Sequence, residues 1–383
     1  MRVANVIPGL GVGGAEVALA NLIAATRGST QHLVLSLGQN GALADRLRDA
    51  GANVVEVPQS RPDKAIRVLR AFVPDVLVGQ MYQGCVATAM FRPFLRGRPL
   101  LVWSIHHSID NIADEKPVTR ATIRLSSMLS SRPEKIHYVS HRSALQHENL
   151  GFPSSKTIVI PNGCDLALFR FDSSARLRMR AALGFNADDF VFGHIGRVRP
   201  MKDHDSLIAA LTLAYEKNPK VAAVLCGLGT ETLNVPSLIR DRVRLLGVRS
   251  DIPEIISACD AGVLSSAFGE ALPNVLAEFQ GCERICTTTD VGDAAIMVGN
   301  PDRVVQPRNP IQLADDILNI SLMREDELLA HGRAARMAVL DKYEINSISE
   351  RMRGLWSGSA PAGTTAQMSE ASPNSAHCPR RAP

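Results

Sequence analysis

No two cysteines in this sequence stand at C-x-x-C spacing, and the seven that occur are scattered from Cys85 to Cys378. An odd, dispersed set excludes a disulfide framework and a cysteine zinc site, and it suits a reducing compartment. Aromatic residues are scarce at 4%, which argues against a chain that stacks on bases along its length. Charge of one sign is not in excess. A net charge of +4 implies no nucleic-acid partner, which would call for concentrated Lys and Arg. No segment approaches the roughly 20 apolar residues of a membrane span. The chain goes straight into RVANVI, without the basic segment and apolar run of a secretory signal. The expectation is a cytoplasmic protein.

What is present is a soluble, globular composition, 45% hydrophobic and 21% charged over 383 residues, too long for one ordinary core. Short β-branched runs alternate with helix-like segments: RVANVI, HLVLSL, NVVEV, DVLVG and LLVWSI, with a helix after Pro117. The rhythm restarts with FVFGHIG, VAAVLCG, VRLLG and AGVLSS. This is the pattern of βαβ units and parallel sheets, and it predicts an α/β chain of two doubly wound domains. TIVIPNG runs into Pro161, Asn162 and Gly163, which are strong punctuators. The expected division is therefore 1–170 and 171–340, with a helix over 341–356 packing back on the first domain. Residues 357–383 have almost no large apolar side chain and read as a disordered tail.

Residues 9–14, GLGVGG, fit G-x-G-x-x-G. A dinucleotide site also needs an acid about 20 residues further on to hold the ribose. Here the first acid after Glu16 is Asp45, inside the next predicted helix. The glycines still suit an anion, because exposed N–H groups at a helix start attract negative charge. A tight turn under helix–sheet packing explains them equally well.

The second half carries two further patterns. In GRVRPMKD, Arg197 and Lys202 follow the strand FVFGHIG, and two cations at a strand's carboxyl end suit a diphosphate. Solvated surface cations are the plainer alternative. In EALPNVLAE, Pro273 suits the first helical turn, so Glu270 belongs to the loop ahead and Glu278 to the second turn. A loop carboxylate there can accept hydrogen bonds from sugar hydroxyls, beside free N–H groups around Leu272 and Asn274, and one on the helix face can accept both hydroxyls of a ribose. A helix-dipole partner for Glu270 and a solvated helix face for Glu278 are the plainer alternatives.

Taken in order, GGAE (Gly13–Glu16), IPNG-x-D (Ile160–Asp165), GR with a downstream Lys (Gly196, Arg197, Lys202) and E-x7-E (Glu270, Glu278) resemble the family 4, or group 1, glycosyltransferases of the GT-B fold. The resemblance extends across nearly all of residues 1–356. It implies two Rossmann-like, doubly wound domains facing a central cleft, with the acceptor held by the first and a nucleoside diphosphate sugar by the second. It assigns Arg197 and Lys202 to the pyrophosphate, Glu278 to the ribose, and Glu270 to the transferred sugar. Leu272, Pro273 and Asn274 fall at the helix start beside the donor, and Gly13 and Gly14 face phosphate and acceptor. His106, in SIHHS, matches a cleft histidine that contacts the sugar, with His107 as its rival.

The expected reaction retains anomeric configuration and uses no metal and no cofactor, since two cations and helix N-termini stabilise charge on a leaving diphosphate. UDP-linked donors are the default and GDP-linked ones the second choice. The acceptor is a glycan or a polyprenol-linked oligosaccharide in surface polysaccharide assembly. The stretch 116–142 holds Lys116, Arg120, Arg124, Arg132, Lys135 and Arg142 against Glu134 alone, with Ile123, Leu125, Met128 and Leu129 as apolar surface. It suggests peripheral contact with anionic lipid on the inner membrane face. One departure stands out: relatives commonly carry small-C-G-x-P after the second Glu, where this chain has Glu283 and Ile285. Strain in that turn is the expected result. The departure also keeps open a non-catalytic nucleotide-sugar-binding protein, as GLGVGG keeps open an NAD-dependent oxidoreductase.

Overall fold

The computed structural model describes residues 1–11, 13–38, 41 and 43–359; from residue 360 the tail read as disordered lies outside the described residues. In the first half the order is β1 (Arg2–Ile7), α1 (Gly14–Ala25), β2 (Gln31–Ser36), α2 (Leu43–Asp49), β3 (Ala52–Glu56), α3 (Pro62–Phe72), β4 (Val76–Gln80) and α4 (Met81–Phe91). It continues with β5 (Leu100–Ile105), α5 (Pro117–Leu129), β6 (Lys135–Tyr138), α6 (His141–Glu148) and β7 (Thr157–Val159).

The second half runs α7 (Ser173–Ala182), β8 (Phe190–Ile195), α8 (His204–Lys217), β9 (Val221–Cys226), β10 (Val243–Leu245), α9 (Ile252–Ala258) and β11 (Ala261–Leu264). It closes with α10 (Asn274–Gly281), β12 (Ile285–Thr289), α11 (Ala294–Val298), β13 (Val304–Val305), α12 (Pro310–Ser321), α13 (Glu325–Tyr343) and α14 (Ile345–Trp356).

The strands form two parallel sheets, β3-β2-β1-β4-β5-β6-β7 and β10-β9-β8-β11-β12-β13. Strands such as β4 and β9 are buried at every residue because helices cover both faces. In each sheet the chain winds outward on one side of the first strand and then returns on the other. The crevice at that reversal lies at the carboxyl ends of β1 and β4, and of β8 and β11, where open α/β sheets bind ligands.

One close approach positions the helix that carries Glu278. Phe279 lies directly on the second sheet over Gly193 of β8 and Gly262 of β11, where a Cβ would come within 2.5 and 2.7 Å of its ring. Only glycine at both positions lets α10 sit that low.

The chain crosses between the halves twice, and the crossings are bonded to each other. Cys164 N donates to Tyr343 O at 2.7 Å and Ile345 N to Cys164 O at 3.0 Å. A Cβ on Gly163 would stand 2.5 Å from Ile345 Cδ1, which explains the glycine after Pro161 and Asn162. Cys164, Leu166 and Phe169 then pack with Phe279 and Tyr343. Helix α14 returns to the first sheet, where Ile348, Met352, Leu355 and Trp356 cover Val3, Val76 and Val102.

At the departure from the family pattern, Glu283 has φ 59°, the left-handed region that glycine occupies without strain. Ile285 opens β12 and is 5% exposed, so the position expected to hold proline is a sheet residue here.

Candidate functional site

The loop after β8 is held beside the end of β9, with Gly196 N donating to Cys226 O and Val198 N to Leu228 O, both at 2.8 Å. It ends in a single 3-10 turn, Pro200–Lys202. The Lys202 ammonium contacts Glu270 Oε1, and Ser266 Oγ donates to the same oxygen at 2.8 Å. Both loops are knitted further by Ser265 Oγ to Lys202 O at 2.8 Å and Ala267 N to Met201 O at 2.7 Å. The cation and carboxylate side chains are 16% and 11% exposed, so Lys202 is not the solvated surface cation of the plainer reading. Arg197 is exposed at the same sheet end. Its charge acts on Glu16 of α1, whose carboxyl is raised by burial, opposed by its own backbone N–H and by Arg197.

The glycine loop of the first half meets the start of α10. Gly13 caps α1, its carbonyl accepting Val17 N at 3.1 Å. Asn274 Nδ2 donates to Gly14 O at 3.4 Å, and Asn274 Oδ1 accepts Asn162 Nδ2 at 2.9 Å. Leu272 and Pro273 are buried beneath them. Pro273 occupies the N-cap rather than the first turn, one residue earlier than the sequence suggests. Glu278 lines a separate cavity with Val17, Asn21, Asn162 and Gly163. Burial pushes its carboxyl up to about 7, against the opposing charges of Arg46 and Lys202.

His106 and His107 differ in their partners. His107 Nε2 is bound to Glu115 Oε1 at 2.7 Å, and that bond lowers the Glu115 carboxyl. His106 is tied inward: its Nε2 lies 3.0 Å from Ser104 Oγ, which lies 2.8 Å from His137 Nδ1, while His137 Nε2 lies 2.7 Å from Ile160 O. Burial lowers His106 to about 3 and His137 to about 4, so both rings are neutral. A carbonyl only accepts, so His137 donates from Nε2 and its Nδ1 accepts the Ser104 hydroxyl. Ser104 in turn accepts from His106 Nε2. His106 is left with a lone pair on Nδ1, which no donor among the described residues satisfies.

The structure thus gathers Lys202 and Glu270 on one lip, and Gly14 and Asn274 across the join. Glu278 lies in the adjoining cavity. Sequence reasoning missed Ser266 and the side-chain role of Asn162. Both act by hydrogen bonding from loops, where periodicity carries no signal. One D-x-D spacing does occur, Asp203-His204-Asp205. Asp203 caps α8, its Oδ1 accepting Ser206 N at 3.3 Å, so a metal-free reading rests on the cations and helix starts. Among the described residues no group of three His, Cys, Asp or Glu side chains is placed to hold a metal. The six described cysteines are free and buried.

The basic stretch is less uniform than its sequence. Arg132 Nη1 donates to Ala89 O at 3.3 Å and Arg142 Nη1 to Asp290 Oδ1 at 3.0 Å. Ile123 faces the core, whereas Val118, Leu125 and Met128 are exposed on α5 with Lys116 and Arg124. Among the described residues no helix is long and apolar enough to cross a membrane.

The sequence profile of the Glycosyl transferase 4-like domain matches residues 13–163, and that of Glycosyl transferases group 1 matches residues 189–322. UDP-Gal:alpha-D-GlcNAc-diphosphoundecaprenol alpha-1,3-galactosyltransferase of Escherichia coli is 31% identical over 154 residues, 38% of this chain and 39% of that protein. D-inositol 3-phosphate glycosyltransferase of Nocardiopsis dassonvillei is 26% identical over 227 residues, 54% of this chain and 52% of that protein. The matched segments therefore span about half or less of these curated relatives. Among solved structures, Anabaena Alr3699/HepE in complex with UDP and glucose is similar with a TM-score of 0.82 at 22% identity, over 94% of this chain and 100% of that one. With one profile on each sheet, in order, and the motifs of both in place, the chain belongs to the group 1, or family 4, glycosyltransferases of the GT-B fold.

Proposed function

We propose that this protein transfers a sugar from a nucleoside diphosphate donor, UDP-linked by preference, to a hydroxyl of a glycan or polyprenol-linked oligosaccharide. The observation that carries the reading is the buried contact of Lys202 with Glu270 and Ser266 where two sheet-end loops meet. It sets a cation for phosphate beside a carboxylate for sugar hydroxyls. The bond from the anomeric carbon to the diphosphate oxygen breaks, and its electron pair stays on that oxygen. The acceptor oxygen bonds to the anomeric carbon on the same face, retaining configuration, and its proton passes to the departing diphosphate. Lys202, Arg197 and the N–H groups around Leu272 and Asn274 stabilise the developing negative charge. No metal or cofactor enters this scheme.

Glu278 takes the ribose hydroxyls, and His106 contacts the transferred sugar. The UDP-Gal and GlcNAc-diphosphoundecaprenol of the Escherichia coli relative, and the UDP and glucose bound in the Anabaena structure, support a UDP donor and a lipid-linked acceptor. The exposed Val118, Leu125 and Met128 beside Lys116 and Arg124 suit peripheral contact with anionic lipid on the side where such acceptors are built. A role in surface polysaccharide assembly fits that substrate pair.

Calorimetric titration with UDP, GDP, ADP and NAD, with and without Mg²⁺, tests the reading. UDP is expected to bind without Mg²⁺ and to lose affinity in Lys202→Ala. Binding of NAD alone would replace it with the oxidoreductase reading, and UDP-sugar binding without any transfer or hydrolysis would favour the non-catalytic one.

A further inference from the structure

The loop Asp290–Asp293, between β12 and α11, touches both lips of the cleft. On its own side, Asp293 N donates to Ala271 O at 3.0 Å. Gly292, at φ +50°, lies so close beneath Glu270 and Ala271 that a Cβ there would collide with both carbonyl oxygens. The backbone that carries Glu270 therefore rests on this loop.

Across the cleft, Asp293 Oδ2 accepts His141 N at 2.7 Å and Oδ1 accepts Arg142 N at 3.0 Å. These are the first two N–H groups of α6, and the helix's own cap, Ser140, serves only Ser143 N at 3.1 Å. Two donors that a helix start leaves open are thus satisfied by a carboxylate from the other half of the molecule. That side chain belongs to a residue 5% exposed, where an unpartnered carboxylate would be costly. Arg142 adds its bond to Asp290 Oδ1 at 3.0 Å.

From α6 the contacts continue to the loop that carries His106. Ser143 Oγ donates to His107 O at 2.5 Å, and Gln146 Oε1 accepts Ser108 Oγ at 2.6 Å and Ile109 N at 2.8 Å. Gln146 Nε2 donates to Asp110 Oδ1 at 3.0 Å, and Asp110 Oδ2 accepts Gly269 N at 3.2 Å. Gly269 precedes Glu270, so the ring of contacts closes on itself.

We infer that Asp293 is a positioning residue: by capping α6 across the cleft it sets the distance between the Glu270 loop and the His106 loop, and hence the alignment of donor and acceptor. It touches neither substrate, and its effect on turnover rests on the transferase reading above. Losing it lets the lips separate while Lys202, Arg197 and the N–H groups around Leu272 and Asn274, all on the second half, keep their places around the diphosphate. Misplacement by about 1 Å is enough to slow a reaction on the order of 100-fold.

The test uses the full chain as wild type, Asp293→Ala, Asp293→Asn and, breaking the other arm at a more exposed site, Asp110→Ala. Hydrogen exchange of peptides covering residues 139–149 reads the clasp, and kinetics with a UDP-sugar read the alignment. Asp293→Ala is expected to expose the His141 and Arg142 amides, with exchange about 10-fold faster there and unchanged in β1 and β8. Transfer kcat should fall about 10- to 100-fold, with UDP affinity kept within about 3-fold. Asp293→Asn keeps one acceptor and should fall between, and Asp110→Ala should show a smaller loss of kcat at constant UDP affinity. Unchanged exchange at 139–149 would overturn the clasp. Unchanged kcat, or UDP affinity that falls in step with it, would overturn the positioning role. A wild type that binds UDP but never turns over counts against the transferase reading, and the exchange measurement still decides the clasp.

Discussion

The ammonium of Lys202 rests against the carboxylate of Glu270, an ion pair between the loop after β8 and the loop after β11, which backbone and hydroxyl bonds also join. Removing one partner leaves the other buried and uncompensated, which is costlier than losing the pair as a whole. Lys202→Ala should weaken UDP binding by at least about 2 kcal/mol, roughly 30-fold. Glu270→Ala should hold UDP affinity within about 3-fold and lower transfer at least about 100-fold. Calorimetry and turnover on the same preparations check both, and equal loss of UDP affinity in the two variants would misplace Glu270.

Glu278 gives the protein a pH dependence with a defined sign. Its carboxyl is raised to about 7 by burial, so the folded state keeps a proton that the unfolded chain gives up near the ordinary carboxylate value. The favourable protonated state is fully present below about 4.5, and its advantage is lost as pH rises through about 7. Glu278→Gln should therefore be more stable than wild type at pH 8, by on the order of 2 kcal/mol, with the difference vanishing at pH 4. Urea unfolding at the two pH values measures it. UDP affinity should rise through pH 7 in wild type, as the carboxylate that accepts ribose hydroxyls forms, and stay flat in Glu278→Gln.

The turn at Glu283 stores strain, since a side chain sits at φ 59°. Glu283→Gly should raise stability by about 1 kcal/mol, read as a shift in denaturation midpoint at constant m-value. Glu283→Ala should give no such gain, because alanine keeps the Cβ.

Phe279 fixes the height of α10 over the sheet. Gly262→Ala would place a methyl 2.7 Å from that ring and should destabilise by about 1–3 kcal/mol. Phe279→Leu in the same chain should recover part of it. A Gly262→Ala protein of wild-type stability would mean that α10 shifts freely, and UDP affinity would then report whether Glu278 shifts with it.

Much of this was legible beforehand, and the exceptions share a cause. VAAVLC announces itself as a strand because every residue is apolar, and RVANVI does so through its Val, Ala and Ile residues around Asn5, on sheets covered on both faces. KIHY of β6 and ICTTT of β12 do so less plainly, because polar residues occupy buried sheet positions, where His137, Thr288 and Thr289 are hydrogen-bonded to backbone carbonyls. Both Glu270 and Glu278 stood out through their spacing around one helix start, and the structure puts them in separate surroundings. Asp293 and Asp110 gave no sign, since their partners are backbone N–H groups in the opposite half, more than 150 residues away. Contacts of that length leave no local pattern in a single sequence.

The pair of bonds between Cys164 and the Tyr343–Ile345 segment also orders the protein's birth on the ribosome. The first sheet is complete by residue 159, yet one side of Val3, Val76 and Val102 waits for Trp356 and its neighbours to cover it. During synthesis the first half must therefore stand with an open apolar face until the whole second half has emerged. Chaperone occupancy on nascent chains is the natural place to see that interval.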